Sequence, residues 1–302
     1  MTAHWQKQEE NGNRFFMRLL IGIALLFGRR TVRLLLPFIV AYFFLVAKSA
    51  RMHSIKYLRK VLHREPNWRD CYRHLFTFAQ VSVDRIFFLS KRFSGFDFHL
   101  HGEQIFTERQ NTGAILAVSH VGSFDVMRAL AARDLGDRVE VYPVLDIEHN
   151  SKSMSFLQAL DPELASRIID ARTPGPELVL KLQEVINQGG YVGLMADRQF
   201  GSKRTLPVNF LGELANFPLT TWEVAALLKV PVISCFGLFS SPNRYDIFFQ
   251  PLERSFIDAS RKDRPRLVEL ALHNYVEQLQ THVQMHPYNW FNFYDFWQHD
   301  AS

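Results

Sequence analysis

The chain has 302 residues, a formal net charge of +5, 47% hydrophobic residues and two cysteines. This length allows one large domain or two small ones, and the apolar fraction is sufficient for a hydrophobic core. Cys71 and Cys235 have no second cysteine at CxxC spacing, which argues against a structural zinc site and suits a reducing compartment. A moderately basic chain can bind an anionic membrane, an acidic protein or nucleic acid, so the distribution of charge has to discriminate between these partners.

Positive charge is concentrated near the start of the chain, around two apolar stretches at residues 19–28 and 34–47. The basic residues that flank these stretches are Arg14, Arg18, Arg29, Arg30, Arg33, Lys48, Arg51, Lys56, Arg59, Lys60 and Arg64. Each stretch is shorter than the roughly 20 residues that a spanning helix needs, and neither carries a signal-peptide cleavage site. The pattern favours membrane-associating apolar and amphipathic helices over residues 1–65, lying on an anionic membrane surface rather than on nucleic acid. Helices packed on the protein's own core are the alternative.

Beyond the N-terminal segment, a long amphipathic helix is predicted over residues 66–92, because apolar residues recur there at the spacing of one helical face. From residue 96 onward, short β-rich runs alternate with helical patterns, which indicates an α/β fold. The predicted strands are residues 96–100, 114–119, 139–145, 191–196, 230–239 and 245–249, and the predicted helices are residues 176–188, 218–228 and 265–285. We therefore expect a single mixed sheet flanked by helices, in a catalytic domain at residues 66–302 that ends in an aromatic tail.

His120 and Asp125 are the leading candidates for catalysis. The apolar strand ends at His120 and a helical pattern begins after Gly122, so both side chains should face one crevice at the carboxyl end of the sheet. A neutral imidazole can remove the proton of an alcohol that attacks a carbonyl, and a carboxylate on the other ring nitrogen fixes the tautomer. Ser119 and Ser123 lie nearby, so a Ser/His hydrolase is a rival interpretation. Neither serine, however, lies in a G-x-S-x-G elbow. A buried histidine that only satisfies backbone groups is the structural alternative.

Other polar residues at predicted strand ends and turns are candidates for substrate binding. Asp197 and Arg198 follow a strand directly, so Arg198 can bind an anionic group while Asp197 holds the loop. A surface ion pair is the equally available alternative. Arg172 precedes a Pro-Gly turn, where a solvated surface arginine is the more common outcome, and Asn150 lies in a loop after a strand where it can contact substrate.

Metal binding is not predicted. His99 and His101 share one face of a predicted strand, but the sequence offers no third ligand at a suitable spacing. We expect no metal and no bound cofactor.

Several motifs, taken in order, resemble the lysophospholipid acyltransferase superfamily, and most nearly its bacterial branch, which includes the lipid A biosynthesis acyltransferases. They are His120-x4-Asp125 at a strand-to-helix turn, Asp197-Arg198, and Phe210-Leu211-Gly212 before a helix. The segments at residues 72–79 and 290–297, with Asp84-Arg85 between them, look like predicted acyltransferases of aryl polyene or fatty-acid-like pathways. The resemblance covers residues 5–297, although Asp125 stands where the lipid A enzymes commonly carry Glu.

This resemblance implies a glycerol-3-phosphate acyltransferase-like fold and an O-acyltransferase. The acyl chain would move from a thioester of acyl carrier protein or CoA to a hydroxyl of a membrane lipid or glycolipid. His120 would be the general base and Asp125 would orient it, beside a helix N-terminus at Gly122 and Ser123 that helps to bear developing negative charge.

The resemblance also implies where substrates bind and where the enzyme works. Arg172, Asp197 and Arg198 would hold the acceptor or the donor's phosphopantetheine, and the location would be the cytoplasmic face of a bacterial inner membrane, as a monotopic or peripheral protein. A thioester or lysolipid hydrolase and a catalytically inactive lipid or carrier-protein binding module remain as alternative functions.

Overall fold

A computed structural model describes residues 14–108, 112–126, 139–148, 151–198, 204–252 and 256–297, with side chains described outside residues 14–21, 23 and 151–153. Its centre is a seven-stranded sheet with the strand order β1-β9-β8-β2-β5-β3-β4. These strands are β1 (Asp97–His101), β2 (Ala114–Gly122), β3 (Val141–Leu145), β4 (Ile169–Asp170), β5 (Tyr191–Met195), β8 (Val232–Ser241) and β9 (Arg244–Pro251). Among the described strands every neighbouring pair in this sheet is parallel except β8 and β9. The predicted α/β class and the mixed, mostly parallel sheet are confirmed.

A second, two-stranded sheet corrects the prediction of a single sheet. It is an antiparallel hairpin of β6 (Thr205–Phe210) and β7 (Glu213–Pro218). Leu211 and Gly212 form its two-residue turn, and both have positive φ angles, +55° and +87°. Such a turn matches the twist of a hairpin, and a glycine accommodates the second position without strain. The Phe210-Leu211-Gly212 motif is therefore a hairpin turn.

Besides the helical residues 124–126 that follow β2, nine helices surround the sheets in the described part of the chain. They are α1 (Arg14–Val46), α2 (Lys48–Leu62), α3 (Trp68–Leu89), α4 (Gln104–Glu108), α5 (Ser151–Leu160), α6 (Pro162–Ser166), α7 (Gly175–Asn187), α8 (Thr220–Leu228) and α9 (Arg264–Met285). The predicted long helix is α3, and it begins with a capping box in which Asn67 accepts the N–H of Asp70 and Asp70 accepts the N–H of Asn67. The proposed boundary between an N-terminal segment and a catalytic domain at residue 65 stays a prediction.

The central strand β2 is buried on both faces, which is why its sequence is a continuous apolar run rather than an alternating one. On one face Ile115 and Ala117 join a core cluster that includes α2, α8 and α9. On the other face Leu116 and Val118 join a cluster that includes Val81 and other residues of α3 and α4. The helices therefore cover the sheet from both sides.

Helix α1 is broken at Gly28, which has a non-helical backbone with φ of +80°. One face of α1 is buried against α3, through Ala24, Val32 and Leu36. Arg29 on α1 also forms two hydrogen bonds of 2.6 Å to the buried carboxylate of Asp84 on α3. These contacts fix α1 on the rest of the protein.

Candidate active site

His120 lies near the end of β2 and lines a cavity. The cavity has a volume of about 600 Å³ and lies at the carboxyl ends of β2, β3 and β5. The His120 side chain is 28% exposed, in contrast to the buried apolar residues that precede it in the strand. This is the crevice that the sequence predicts at the carboxyl end of the sheet.

Asp197, and not Asp125, holds the imidazole of His120. The distance from His120 Nδ1 to Asp197 Oδ1 is 2.9 Å, and the backbone N–H of His120 donates to Asp197 Oδ2 at 2.9 Å. A buried carboxylate at Nδ1 places a proton there and leaves the Nε2 lone pair as the basic site. The contact with the imidazole that the sequence motif predicts for Asp125 is thus made by Asp197, for which the sequence predicted a substrate or loop role.

The strand register explains why Asp197 meets His120. Strands β2 and β5 are parallel neighbours, and the last paired residues are Val118 and Met195. His120 and Asp197 each follow that pair by two residues, so they lie side by side at the carboxyl ends of the two strands. Knowledge of this pairing would have identified Asp197 from the sequence, whereas local spacing along the chain directed attention to Asp125.

Asp125 instead forms an ion pair with an arginine of α3. The distance from Arg85 Nε to Asp125 Oδ2 is 2.7 Å, and both residues line the cavity. Asp125 therefore lies in the predicted site but contacts a cation there. The role of Arg85 was not predicted, although the Asp84-Arg85 pair was noted as part of the family resemblance.

The surroundings of His120, and burial above all, favour a neutral ring at pH 7. Burial and then the positive charge of Arg198 lower the pKa of His120 below its ordinary value, against the opposing effect of Asp197. Burial alone would raise the pKa of Asp197, but its interactions with His120 and Arg198 bring that pKa below the ordinary value of a carboxyl group. An ionised carboxylate and a neutral imidazole are the protonation states that a general base requires.

The C-terminal aromatic tail completes the site and supplies a residue that sequence reasoning missed. The backbone N–H of Phe291 donates to His120 O at 2.8 Å and that of Gly122 donates to Asn289 O at 2.8 Å, so the tail adds an antiparallel bridge to the end of β2. Between these residues, the indole Nε1–H of Trp290 donates to Asp197 Oδ2 at 3.2 Å. The carboxylate of Asp197 thus accepts three N–H groups, two from His120 and one from Trp290.

Gly122 is required by the close approach of β8 to the end of β2. Its φ is +63°, and a Cβ atom there would lie 1.9 Å from the carbonyl oxygen of Gly237. The N–H of Gly122 is engaged by the tail, and the N–H of Ser123 donates to Gly237 O at 2.7 Å. Ser123 Oγ accepts the N–H of Val126 at 3.4 Å. Gly122 and Ser123 both line the cavity as predicted, but their N–H groups are already used by the fold.

Arg198 lines the cavity beside His120. One of its terminal nitrogens donates to Phe291 O at 3.3 Å, and the guanidinium lies 5.2 Å from the ring centroid of Tyr294. Its Nε is buried and has no hydrogen-bond partner among the described residues. A guanidinium that lines a cavity is suited to an anionic or carbonyl group of a substrate.

Two predicted substrate-binding residues are not brought to this cavity by the described structure. Arg172 forms ion pairs with Asp146, Glu148 and Asp170, and it is absent from the cavity lining. These ion pairs agree with the surface alternative for Arg172, and its contact with substrate stays a prediction. Asn150 lies outside the described residues.

The two strand histidines have carboxylate partners instead of a common ligand. His99 contacts Asp97 at 2.9 Å and His101 contacts Asp246 at 3.4 Å. Within the described ranges no group of three or more His, Cys, Asp or Glu residues has an arrangement that could hold a metal ion.

Away from the polar groups the cavity is lined by apolar side chains. They belong to the strand ends, α5, α6 and the segment after α6, and include Val144, Leu145, Leu157, Leu164 and Ile168. Leu157 and Leu164 are buried and belong to a separate small core cluster. One cavity therefore combines a base, two arginines and an extended apolar wall.

Comparison with known proteins agrees with this arrangement. The model of the bacterial lipid A biosynthesis acyltransferase family matches residues 65–299, which is most of the chain, so the protein belongs to that family. It is an acyltransferase (EC 2.3.1.-), of a family whose acceptors are lipids. A search of curated proteins finds no match.

Proposed function

We propose that this protein is an O-acyltransferase that moves an acyl chain from a thioester of acyl carrier protein or CoA to a hydroxyl of a membrane lipid or glycolipid. The observation that carries the proposal is the contact of the buried Asp197 with His120, which lines a cavity with an apolar wall. A base and an anchored carboxylate are sufficient to activate an alcohol, because the thioester is already a reactive carbonyl. The reaction therefore requires no metal and no prosthetic group beyond the donor.

The residues assign each proton of the reaction. His120 Nε2 removes the proton of the acceptor hydroxyl while the oxygen attacks the thioester carbonyl, and Asp197 stabilises the imidazolium that forms. When the tetrahedral intermediate collapses, the carbon–sulfur bond breaks, the imidazolium returns the proton to sulfur, and an ester and a free thiol result. No protein nucleophile takes part. Ser119 Oγ is buried, and Ser123 Oγ accepts the backbone N–H of Val126.

Substrate binding follows from the two ends of the cavity. The apolar wall at Leu157, Leu164 and Ile168 is suited to the acyl chain, since each methylene removed from water contributes about 0.8 kcal/mol. Arg198 and Arg85 are suited to a phosphate of the donor's phosphopantetheine or to an anionic group of the acceptor. Asp125 holds Arg85 in place through its ion pair.

The outer face of α1 supports a membrane location. Its large exposed apolar side chains include Leu26, Phe27, Leu34, Phe38, Tyr42 and Leu45. Phe38 is 76% and Leu26 is 81% exposed, whereas the opposite face of the same helix is buried on α3. Insertion of such side chains into lipid is favourable by up to about 1.5–3 kcal/mol each. We infer that the protein lies on the cytoplasmic face of a bacterial inner membrane through this face.

Helix length and apolar character were also considered for a helix that crosses the bilayer. Among the described residues, no single helix has the length and apolar character needed to span a membrane. One bent pair of helices, Ala24–Val46 with Lys48–Leu62, has them only when the two are taken together across a 94° bend.

Much of the basic charge near the N-terminal helices is engaged within the protein. Lys56, Arg59, Lys60 and Arg64 are each in an ion pair with an acidic residue. The apolar face, more than the flanking charge, would then provide the attachment.

The acyl-transfer proposal is tested by mass spectrometry of a reaction that contains purified protein, acylated carrier protein or acyl-CoA, and a total membrane lipid extract. We expect one lipid class to gain one acyl mass, and we expect His120→Ala to lower this turnover by about 10²–10⁴, the usual contribution of a positioned base. His99→Ala is the matched control, because His99 is exposed and outside the cavity lining. A folded His120→Ala protein with full activity would refute the mechanism. Release of free acid would favour the hydrolase, and an absence of turnover with all donors would favour the binding module.

The membrane proposal is tested by co-sedimentation with vesicles of phosphatidylethanolamine and phosphatidylglycerol. Leu34→Glu together with Phe38→Glu should abolish sedimentation, because two charges would have to enter the lipid. Leu180→Glu is the control, since Leu180 is an exposed leucine of α7. Equal sedimentation of both variants would show that the α1 face is not the attachment.

A further inference from the structure

Trp290 lies between the catalytic pair and the N-terminal helices, and it makes polar contacts in both directions. Its indole Nε1–H donates to Asp197 Oδ2 at 3.2 Å, and its backbone carbonyl contacts Nε2 of His74 on α3 at 2.9 Å. Nδ1 of His74 lies 2.9 Å from Ser54 Oγ on α2. Every member of this network is buried.

The direction of each hydrogen bond in the network is determined by chemistry. Because a carbonyl can only accept, His74 Nε2 carries the proton and His74 Nδ1 must accept from the hydroxyl of Ser54. Burial lowers the pKa of His74 to about 4, so that the ring is neutral and this tautomer is the only one that satisfies both partners. The carbonyl of Trp290 is thereby fixed to α3, and α3 is fixed to α2.

The indole of Trp290 has little freedom to turn away from Asp197. It is fully buried, and the ring centroids of Tyr57, Phe210 and Phe296 lie 4.9–5.1 Å from its own, all edge-on. The backbone next to it is held on both sides. Asn289 exchanges two hydrogen bonds with Phe239 of β8, at 2.7 and 3.0 Å.

We propose that Trp290 is a positioning residue for the catalytic pair, and that α2 and α3 hold it in place through Ser54 and His74. The proposal rests on the assignment of His120 as the base. In this arrangement the N-terminal helices contribute to the geometry of the active site through the C-terminal tail, in addition to any role at the membrane. Trp290 itself touches no reacting atom, and it acts by holding Asp197 Oδ2 so that Oδ1 faces His120.

Removal of the indole N–H has a consequence that a purely structural role would not produce. With one donor fewer, the negative charge of Asp197 is less dispersed and attracts the proton on His120 Nδ1 more strongly, which favours the imidazolium and raises the pKa of His120. The other ionisable groups around this carboxylate are Arg198, Tyr275 and Tyr294. Both phenols have pKa values raised chiefly by burial, so they do not contribute to an acid limb, and that limb reports His120.

Trp290→Phe tests the proposal, because it removes the donor and keeps an aromatic ring in the cluster. We expect kcat to fall about tenfold, as befits loss of one hydrogen bond to a charged group, with little change in KM, and the acid limb of kcat/KM to move to higher pH. Trp297→Phe is the matched control. It removes an indole N–H from the same tail, but that N–H donates to the backbone carbonyl of Phe210. Wild-type kcat and pH limb in Trp290→Phe, alongside an inactive His120→Ala, would overturn the proposal while leaving the proposed function intact.

Two further measurements separate the two proposals and test the link to α3. Ring ¹⁵N shifts of labelled histidine, assigned with His120→Ala, report the His120 tautomer and pKa without turnover, so they remain decisive if no acyl transfer is found. An unchanged His120 titration in Trp290→Phe would refute positioning. His74→Gln retains an N–H for the carbonyl of Trp290 and should preserve kcat, whereas His74→Leu should reproduce the Trp290→Phe profile. If both His74 variants behave alike, the link to α3 is wrong.

Discussion

Asp197→Asn is the substitution that most directly tests the assignment of the orienting carboxylate. Asp197 Oδ2 accepts the backbone N–H of His120 and the indole N–H of Trp290, at 2.9 and 3.2 Å, while Oδ1 faces His120 Nδ1. In the amide, the oxygen must stay opposite the two fixed donors, which turns the NH₂ group toward His120 Nδ1. The imidazole can meet an NH₂ group there only by moving its proton to Nε2. The lone pair that should accept the hydroxyl proton is then lost.

The expected magnitude is large because the base would be held in the wrong tautomer. Replacement of the carboxylate by its amide in a Ser-His-Asp triad lowers kcat by about 10⁴, and we expect a loss of about 10³–10⁴ here. The fold should survive, since the amide oxygen still accepts both N–H groups. The assay is release of the donor thiol, measured with a chromogenic disulfide, and Cys71 and Cys235 are buried and give little background. Retention of kcat within tenfold of wild type would refute this reasoning.

Asp125→Asn provides the contrast. Its carboxylate is paired with Arg85, so the substitution should act on the position of that arginine and raise KM without changing the His120 tautomer. Arg85→Gln should have a similar effect, and the double variant should be no worse than either single variant, as expected for two residues that act as one pair. A changed His120 tautomer in Asp125→Asn would mean that the sequence motif assigned the orienting carboxylate correctly.

Three further outcomes are expected from the structure. The His120 pKa lies below its ordinary value of 6.5, and the neutral ring is the proposed active form. We therefore expect kcat/KM to be independent of pH near pH 7 and to decline only as the pH falls below that lowered pKa. An acid limb of the wild-type kcat/KM profile that lies above pH 7 would contradict this. Leu164→Trp should shorten the longest acyl chain accepted, at a cost of roughly fourfold in kcat/KM per methylene that no longer fits, which a series of acyl thioesters would measure. In a urea titration, Asp84→Asn should lower the free energy of unfolding by about 3–5 kcal/mol, because Arg29 would lose its buried charged partner. Glu163→Gln should lower it by less than about 1 kcal/mol, because the ion pairs of Glu163 are exposed.

Much of the architecture could be predicted because it depends on local patterns. The central strand can be predicted from a continuous apolar run that ends at His120. Helix α3 can be predicted from apolar residues at helical spacing after a capping residue. The hairpin of β6 and β7 was not predicted, because Pro207 and the polar residues around it obscure the alternation, and the motif at its turn is noticeable in the sequence only as preceding a helix. The sequence also shows a basic N-terminal region, but it cannot show that Arg29 and Arg33 reach Asp84.

The catalytic residues show the same division between local and long-range information. A histidine and an acid five residues apart suggest a pair, and both do line one cavity. Yet His120 lies near the end of β2, whereas Asp125 lies in the helical residues 124–126 that follow Gly122. Each of the two side chains contacts a residue from a distant part of the chain. His120 meets Asp197, 77 residues away, through the pairing of β2 with β5. The spacing of His120 and Asp125 is thus compatible with two separate contacts, that of Asp197 with the imidazole and that of Asp125 with Arg85, and the sheet register distinguishes which carboxylate contacts which residue.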